Sequence, residues 1–215
     1  MQNESRVPSS VRPGAKAEGR TAVLQAAAEA FMDLGYDRAS IDEIADRMGA
    51  TKGRVYHYYR SKADILLDVH QDMLAIMMDA LREEAGQETD PFSRLRAMSR
   101  QHVLLMMEHF AYARVTLVST TQLDGSTERQ RQTVRRIRET RKAYEQLFTD
   151  VITEAVEKGM TQPPDIPVAT KAVLGVLNWI GMWYDPERTS TADGRVALAD
   201  QLADFAVAGL RHGAE

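Results

Sequence analysis

The chain has 215 residues, of which 44% are hydrophobic, 27% charged and 7% aromatic, values typical of a helix-rich globular protein with one domain or two modest ones. It contains no cysteine, which excludes disulfides, thiol nucleophiles and thiolate metal sites. No stretch approaches about eighteen consecutive apolar residues, and the N-terminal MQNESRVPSS lacks the apolar core of a signal peptide. We therefore expect a cytoplasmic protein with no membrane partner.

The net charge of −4 is unevenly distributed along the chain. Residues 1–64 hold ten cationic and nine acidic side chains, and residues 65–215 hold seventeen and twenty-two, so the net charges are +1 and −5. Between Arg47 and Lys62 there are five cationic residues and no acid. A positive field confined to one segment suits a polyanionic partner despite the acidic total.

The N-terminal third of the chain predicts an arm followed by four helices. Residues 1–16 are polar and lack apolar periodicity, which indicates a disordered arm. From Ala17 the apolar spacing of a helix begins, and Gly35 stands where a C-cap belongs. The next three helices have predicted N-caps, which are Ser40 (in a capping box with Glu43), Thr51 and Ser61.

The remaining two thirds of the chain also have helical periodicity, and no strand pattern persists. After a fourth helix of about 20 residues we predict helices at about 91–109, 111–121, 126–158, 167–184 and 192–211. The expected fold class is all α. The expected organisation is an arm over 1–16, a helix-turn-helix domain over 17–63 and a second helical domain over 64–215.

The segment TKGRVYHYYRSK, residues 51–62, combines four cationic residues with three tyrosines and a histidine. A short helix, a break at Gly49 and a basic helix form the sequence outline of a helix-turn-helix, whose second helix lies in the major groove of DNA. If Val55 and Tyr59 face inward, five residues face the groove or its walls: Lys52, Gly53, Arg54, Tyr56 and His57. Lysine and arginine neutralise phosphates, and arginine also pairs with guanine.

The run from Ala27 to Leu67 resembles the DNA-binding domain of the TetR family of bacterial transcriptional regulators. The match includes Phe31, Gly35-Tyr36, Ser40-Ile41, Ile44-Ala45, Gly49 and the pattern K-G-x-[LV]-Y-x-[YH]-[FY]-x-x-K that starts at Lys52. The resemblance implies a homodimer on a palindromic double-stranded DNA operator and a C-terminal helical domain that binds a small-molecule effector. It places Ser40, Thr51, Tyr58 and Lys62 on phosphates and Lys52, Gly53, Arg54, Tyr56 and His57 at or near bases.

The segment NWIGMWYDPE, residues 178–187, contains both tryptophans of the chain. Its N-W-x-x-x-W-Y-x-P pattern is similar to that of a TetR branch that responds to acyl-CoA thioesters, including repressors of steroid and fatty-acid catabolism. Some members have an arginine before the second tryptophan, where this chain has Met182. This resemblance, the clustered methionines and the basic run of residues 129–142 define the predicted ligand-binding residues: Met106, Phe110, Arg114, Arg138, Asn178, Trp179, Met182, Trp183 and Tyr184.

Two features of the second half have alternative interpretations. The predicted last two helices have small-residue apolar stripes that either form a four-helix dimer interface, as the resemblance implies, or lie buried inside one subunit. These stripes are Ala172, Val173, Val176, Leu177 and Ile180, then Val196, Ala199, Ala203, Ala206 and Leu210. The tryptophans fit a pocket wall, a dimer contact or a core equally well.

No motif indicates an enzyme. The five histidines form no H-E-x-x-H pair, and neither G-x-G-x-x-G nor G-x-S-x-G is present. We expect no catalytic residue, no metal site and no cofactor apart from the effector. The leading hypothesis is a ligand-controlled repressor, and its alternatives are a multidrug or hydrophobic-compound sensor and a DNA-binding protein that reads no sequence.

Overall fold

The structure is a computed structural model that describes residues 13–87, 90–119, 125–163, 165–189 and 191–211. The chain divides into two compact units, Met1–Ile65 and Leu66–Glu215. Within the described ranges there are ten helices and no strand, which confirms the all-α prediction. The helices are α1 (Pro13–Leu34), α2 (Ile41–Arg47), α3 (Lys52–Tyr58), α4 (Lys62–Ala85), α5 (Pro91–Glu108), α6 (Phe110–Val118), α7 (Glu128–Glu157), α8 (Ile166–Asn178), α9 (Ile180–Trp183) and α10 (Ala192–Arg211).

The first unit has the short, well-ended helices that its sequence predicts. The apolar stripe of α1 is buried, and Gly35 ends this helix with a φ of 78°, a conformation that favours glycine. Gly49 has a φ of 60° in the turn between α2 and α3. Residues 1–12 of the expected arm lie outside the described residues. The helix itself starts at Pro13, earlier than the predicted Ala17, because proline is well tolerated in the first turn of a helix.

In the second unit α5 is the central helix, and it packs against α6 to α10. The core includes Leu95 and Met98 of α5 with Phe148 and Ile152 of α7, all of them fully buried. Side chains cap three helix starts: Asp90 before Pro91, Thr127 in a capping box with Gln130, and Asp165. These caps fix where α5, α7 and α8 begin.

The predicted single helix over 167–184 is wrong, because the structure divides it into α8 and the four-residue α9 at Trp179. The interruption lies where α9 packs against α6. A Cβ atom added to Gly181 would meet Leu117 Cδ1 at 2.4 Å, so the two helices approach each other closely at this glycine. This tertiary contact has no signature in the local sequence.

Candidate nucleic-acid interface and ligand cavity

The exposed face of α3 presents polar and aromatic side chains together. Val55 and Tyr59 are buried, with 0% and 6% of their surface exposed, which confirms their predicted inward orientation. The residues predicted near bases are all exposed, and we call them the recognition surface: Lys52, Gly53, Arg54, Tyr56 and His57. Burial of two apolar anchors thus aims the rest of this short helix outward.

The two predicted phosphate donors at helix starts differ in what they already bind. Ser40 Oγ accepts the backbone N–H of Glu43 at 3.1 Å, so this serine caps α2 as predicted. The Glu43 carboxylate bonds to Arg47. Of the two hydrogen bonds of the predicted capping box, the structure therefore shows the one that the Ser40 side chain accepts. Thr51 occupies the N-cap position of α3 with extended backbone, but its side chain makes no capping hydrogen bond. The Thr51 hydroxyl is therefore available to an external acceptor.

Tyr58 is held in place by a glycine that the sequence analysis did not single out. A Cβ atom added to Gly19 of α1 would lie 2.0 Å from Tyr58 Oη, so only a glycine allows this approach. On its other side the Tyr58 ring meets His57 edge to face, with 4.9 Å between ring centroids. Gly19 and His57 together fix the position of the Tyr58 hydroxyl, which was predicted to contact a phosphate.

Lys62, which was predicted to contact a phosphate, has a structural role within the first unit. Its ammonium donates to the backbone carbonyls of Tyr36, Asp37 and Ala39 at 2.6, 3.2 and 2.8 Å, and it lies 4.4 Å from the Tyr36 ring centroid. An ammonium has three N–H donors, so all of them are used within the first unit. Lys62 thereby holds the turn before α2, and its predicted phosphate contact stays a prediction.

Lys52 pairs with Asp42 of α2, with 2.8 Å between Nζ and Oδ2. The hydrogen bond to Asp42 and its charge raise the pKa of Lys52. Both side chains are exposed, so water screens the pair and it adds little to stability. Because the pair is exposed and weak, the Lys52 ammonium can leave Asp42 for a phosphate at little cost.

The second unit contains a cavity of about 270 Å³ among α4, α5, α6, α7 and α8. Three methionines, Met73, Met77 and Met106, line it together with Leu74, Leu117 and Leu174. Polar groups enter from His102, Thr116, Arg141, Tyr144, Glu145 and Asn178. A mostly apolar hollow with a few polar groups is the usual form of a small-molecule site.

Arg141 is the one cationic residue among the described residues that line the cavity, and buried polar groups hold it. Its Nη2 donates to His70 Nδ1 at 3.1 Å and to the Thr116 carbonyl at 3.0 Å. Because a guanidinium only donates, His70 Nδ1 is the acceptor and His70 Nε2–H donates to Ser119 Oγ at 3.0 Å. Burial, with the Arg141 charge, lowers the pKa of His70 to about 3, so this histidine is neutral.

Two of the nine predicted ligand-binding residues, Met106 and Asn178, line this cavity. Arg138 is exposed on α7, and the basic run contributes Arg141 one turn of helix later. Arg114 reaches the Gly181 carbonyl at 3.4 Å, and the Phe110 ring packs edge to face on Tyr184. Trp179, Met182 and Trp183 are 63%, 43% and 48% exposed, so these three residues lie at the surface of the subunit.

Helices α8 and α10 each have a face that is buried inside the subunit and a face that is exposed. We call their exposed face around Val168 and Phe205 the α8/α10 surface. Of the predicted interface stripes, most members are buried inside the subunit: Val173, Leu177, Ile180, Ala199, Ala203, Ala206 and Leu210. Two stripe members, Ala172 and Val196, are exposed. The most exposed large apolar residues of α8 and α10 are Val168 at 62% and Phe205 at 68%, and they border a hollow of about 290 Å³ together with Ala172 and Val176. Burial inside the subunit thus accounts for most of the stripes, and the dimer interface of these two helices stays a prediction, for which the α8/α10 surface is the candidate.

One segment of the described ranges, Ile166–Trp183, is long and apolar enough to cross a membrane by length and composition, with a mean hydropathy of 1.2. About 28% of it is buried within the chain. It comprises α8 and α9, which pack on α5 and α10, and an interface helix of a globular protein has the same character.

Comparison with known proteins assigns both parts of the chain to one family. The model of bacterial regulatory proteins of the tetR family matches residues 23–69, and the model of the tetracyclin repressor-like C-terminal domain matches residues 88–210. The chain belongs to the TetR family of bacterial transcriptional regulators. It is a transcriptional regulator and not an enzyme.

Several relatives match over most of the chain. The fatty acid metabolism regulator protein of Bacillus subtilis is 22% identical over 88% of this chain and 94% of its own. The transcriptional repressor KstR2 of Mycolicibacterium smegmatis is 26% identical over 81% of this chain and 83% of its own. The crystal structure of AibR in complex with isovaleryl coenzyme A and operator DNA is 25% identical, covers 89% of this chain and 97% of its own, and has a TM-score of 0.74.

Proposed function

We propose that the protein is a repressor that binds a palindromic operator as a dimer and leaves it when an effector fills the cavity. The observation that carries the proposal is the recognition surface, on which Lys52, Arg54, Tyr56 and His57 are exposed side by side above buried Val55 and Tyr59. Arginine and lysine in this position read base edges and neutralise phosphates in the major groove. The location of such a protein is the cytoplasm, where the operator is.

The proposed dimer buries the exposed apolar residues of the α8/α10 surface. Val168 and Phe205 border an apolar hollow, and small residues beside them, Ala172 and Gly209, allow a second helix pair to approach. Two copies of one surface related by a two-fold axis give the four-helix arrangement. A two-fold dimer also explains why the operator is a palindrome.

The proposed effector is an acyl-CoA thioester. AibR was crystallised with isovaleryl coenzyme A. Two further relatives are a fatty acid metabolism regulator protein and the repressor KstR2. The methionine-lined cavity of about 270 Å³ suits an acyl group, and the bulk of the coenzyme would lie outside it. A sensor of neutral hydrophobic compounds is the second candidate, because the same methionines favour it.

The effector acts by shifting a population of conformations toward a spacing of recognition helices that no longer fits DNA. The experiment is a fluorescence anisotropy titration of the protein on labelled operator DNA, with isovaleryl-CoA, decanoyl-CoA, free CoA and neutral hydrophobic compounds added in turn. We expect release by one acyl-CoA and none by free CoA. Release by several neutral compounds and by no thioester would replace the acyl-CoA proposal with the hydrophobic-compound sensor.

The direction of regulation needs a separate measurement. A reporter gene placed behind the operator should be silent when the protein is expressed and active when the releasing effector is added. Higher reporter activity in the presence of the protein alone would make it an activator, with the same recognition surface and cavity.

A further inference from the structure

The polar side of the cavity has a cation, Arg141, that forms no ion pair with the described residues. Arg141 Nη2 is bonded to His70 and to the Thr116 carbonyl, and both are neutral acceptors. Among the described residues no carboxylate oxygen lies within the 4.0 Å that defines a salt bridge to Arg141. Burial lowers the pKa of this guanidinium, which still stays charged because arginine does not deprotonate in proteins. A half-buried cation that pairs with no carboxylate favours an anionic ligand.

The orientation of Arg141 is fixed before any ligand arrives. His70 Nδ1 accepts an N–H of Arg141, and His70 Nε2–H donates to Ser119 Oγ. The Ser119 hydroxyl in turn donates to the Val115 carbonyl. These groups come from α4, α6 and α7, so three helices hold one guanidinium. The N–H groups on Nε and Nη1 of Arg141 make no hydrogen bond to the described part of the chain. Arg141 also lines the cavity. Both Nη2 hydrogens are already donated, so a carboxylate oxygen would accept a single charge-assisted hydrogen bond from the Nε–H or an Nη1–H group.

The rest of the cavity suits an unbranched apolar chain. Met73, Met77 and Met106 are buried, and with Leu74, Leu117 and Leu174 they line the cavity. Its volume of about 270 Å³ is near the lower limit of small-molecule sites, which span roughly 300–1,000 Å³. A short or medium acyl chain is therefore the right size class. Glu145, one turn after Arg141, borders the cavity as well, and its charge weakens the attraction of Arg141 for an anionic ligand.

We propose that the cavity selects an effector that places a carboxylate against Arg141 and an apolar chain against the methionines. This inference rests on the proposed function, in which the cavity is the effector site. The carboxylate has two sources, either a free fatty acid or the distal carboxylate of a dicarboxylic acyl thioester. In both, Arg141 is the residue that distinguishes acids from neutral compounds of equal length.

The test is isothermal titration calorimetry of the full-length protein with matched probes. The free acids run from butanoate to dodecanoate, with decanamide and 1-decanol as neutral partners of decanoate. Decanoyl-CoA and the CoA thioester of decanedioic acid distinguish the two carboxylate sources. We expect wild-type protein to bind one class of carboxylate at least about tenfold more tightly than its neutral partner, because hydrogen bonds to charged groups are the strong ones.

Three variants locate the effect. Arg141→Gln should weaken the carboxylate about tenfold to a hundredfold, and Glu145→Gln should tighten it by removing a neighbouring negative charge. Lys142→Gln is the matched control, because it removes the same charge from the adjacent, exposed position of α7 and should leave binding within about twofold. Circular dichroism confirms that each variant is folded, and the acid and amide comparison on wild-type protein needs no variant.

The inference is overturned if decanamide binds as tightly as the acid, if no carboxylate probe binds, or if Arg141→Gln and Lys142→Gln weaken binding equally. Its failure is distinguishable from failure of the proposed function. A carboxylate that binds through Arg141 yet leaves operator DNA bound supports the site and contradicts effector-controlled release. A thioester that releases DNA equally from wild type and Arg141→Gln supports the function and contradicts the carboxylate.

Discussion

The side chains of the recognition surface differ in what they bind inside the chain. Lys52 is paired with Asp42, whereas the guanidinium of Arg54 makes no hydrogen bond or ion pair within the described ranges, and Arg54 is exposed. A guanidinium with no internal partner can form two bonds to a guanine edge without breaking others. Arg54 is therefore the residue expected to carry most of the base preference.

Replacing Arg54 by alanine should cost about 1–3 kcal/mol of operator binding and relax preference at one or two base pairs. Binding to random duplex DNA should fall much less. The measurement is anisotropy on operator and random duplexes at two salt concentrations. Equal losses on the two DNAs would mean that Arg54 contacts phosphate and not a base.

Lys62 and Lys52 form a matched pair for separating structure from DNA contact. Lys62→Met should lower the free energy of unfolding of the first unit by about 1–3 kcal/mol, because three backbone carbonyls lose charged donors. Lys52→Met should leave stability almost unchanged and reduce the salt dependence of DNA binding. Thermal unfolding and salt-dependent anisotropy distinguish them. A Lys62→Met protein that is as stable as wild type but binds DNA weakly would support the predicted contact of Lys62 with phosphate.

Helices differ in how far their own sequence determines them. The caps at Ser40 and Ser61, the glycine turn at Gly49 and the inward pair Val55 and Tyr59 were predictable because each depends on neighbours within one turn. The break at Trp179 was not, because it accompanies the contact of Gly181 with Leu117, more than sixty residues away along the chain. Local periodicity carries no information about such contacts.

The α8/α10 surface gives a prediction at the scale of elements. Phe205→Glu should convert the proposed dimer to monomers, since it places a charge at an exposed apolar residue beside the hollow. Ala143→Glu on α7 is the control, with the same charge at another exposed helical position. Sedimentation velocity checks both variants. A dimer that persists in Phe205→Glu, or dissociates equally in both, would place the interface elsewhere.

The cavity shows what sequence reasoning lacks at the scale of the molecule. The basic run of α7 places cations on every face of the helix, and only packing determines that Arg141 turns inward and Arg138 outward. The partners of Arg141 come from His70, Thr116 and Ser119, which are distant in sequence. Composition indicated methionines for a pocket, and three of them line it. Only the fold shows which cationic residue lines the cavity together with the methionines.

Two buried histidines make the stability of the second unit depend on pH. Burial lowers the pKa of His70 to about 3, with Arg141 contributing, and that of His102 to about 4, with Asn178 opposing. The unfolded chain binds a proton on each below about pH 6.5, while the folded chain does not, so stability is full above pH 6.5 and falls as pH decreases. Each histidine should cost about 2 kcal/mol at pH 5.

Urea unfolding at pH 7.5 and pH 5, followed by far-UV circular dichroism, measures this dependence. Carboxylates with lowered pKa values, such as Glu154 and Asp204, act at lower pH than the histidines, so this window isolates the histidines. His102→Gln should remove about half of the difference. An unfolding free energy that is equal at the two pH values would mean that His70 and His102 are not buried in their neutral form.

The central claim is that the chain reads a specific DNA sequence as a dimer. Selection from a random pool of duplex DNA with purified protein at about physiological salt, followed by sequencing of the retained molecules, tests it most directly. The account predicts one enriched palindrome whose half-sites lie about one helical turn or more apart. Retention of DNA without any enriched motif would contradict it and would identify a protein that binds DNA through charge alone.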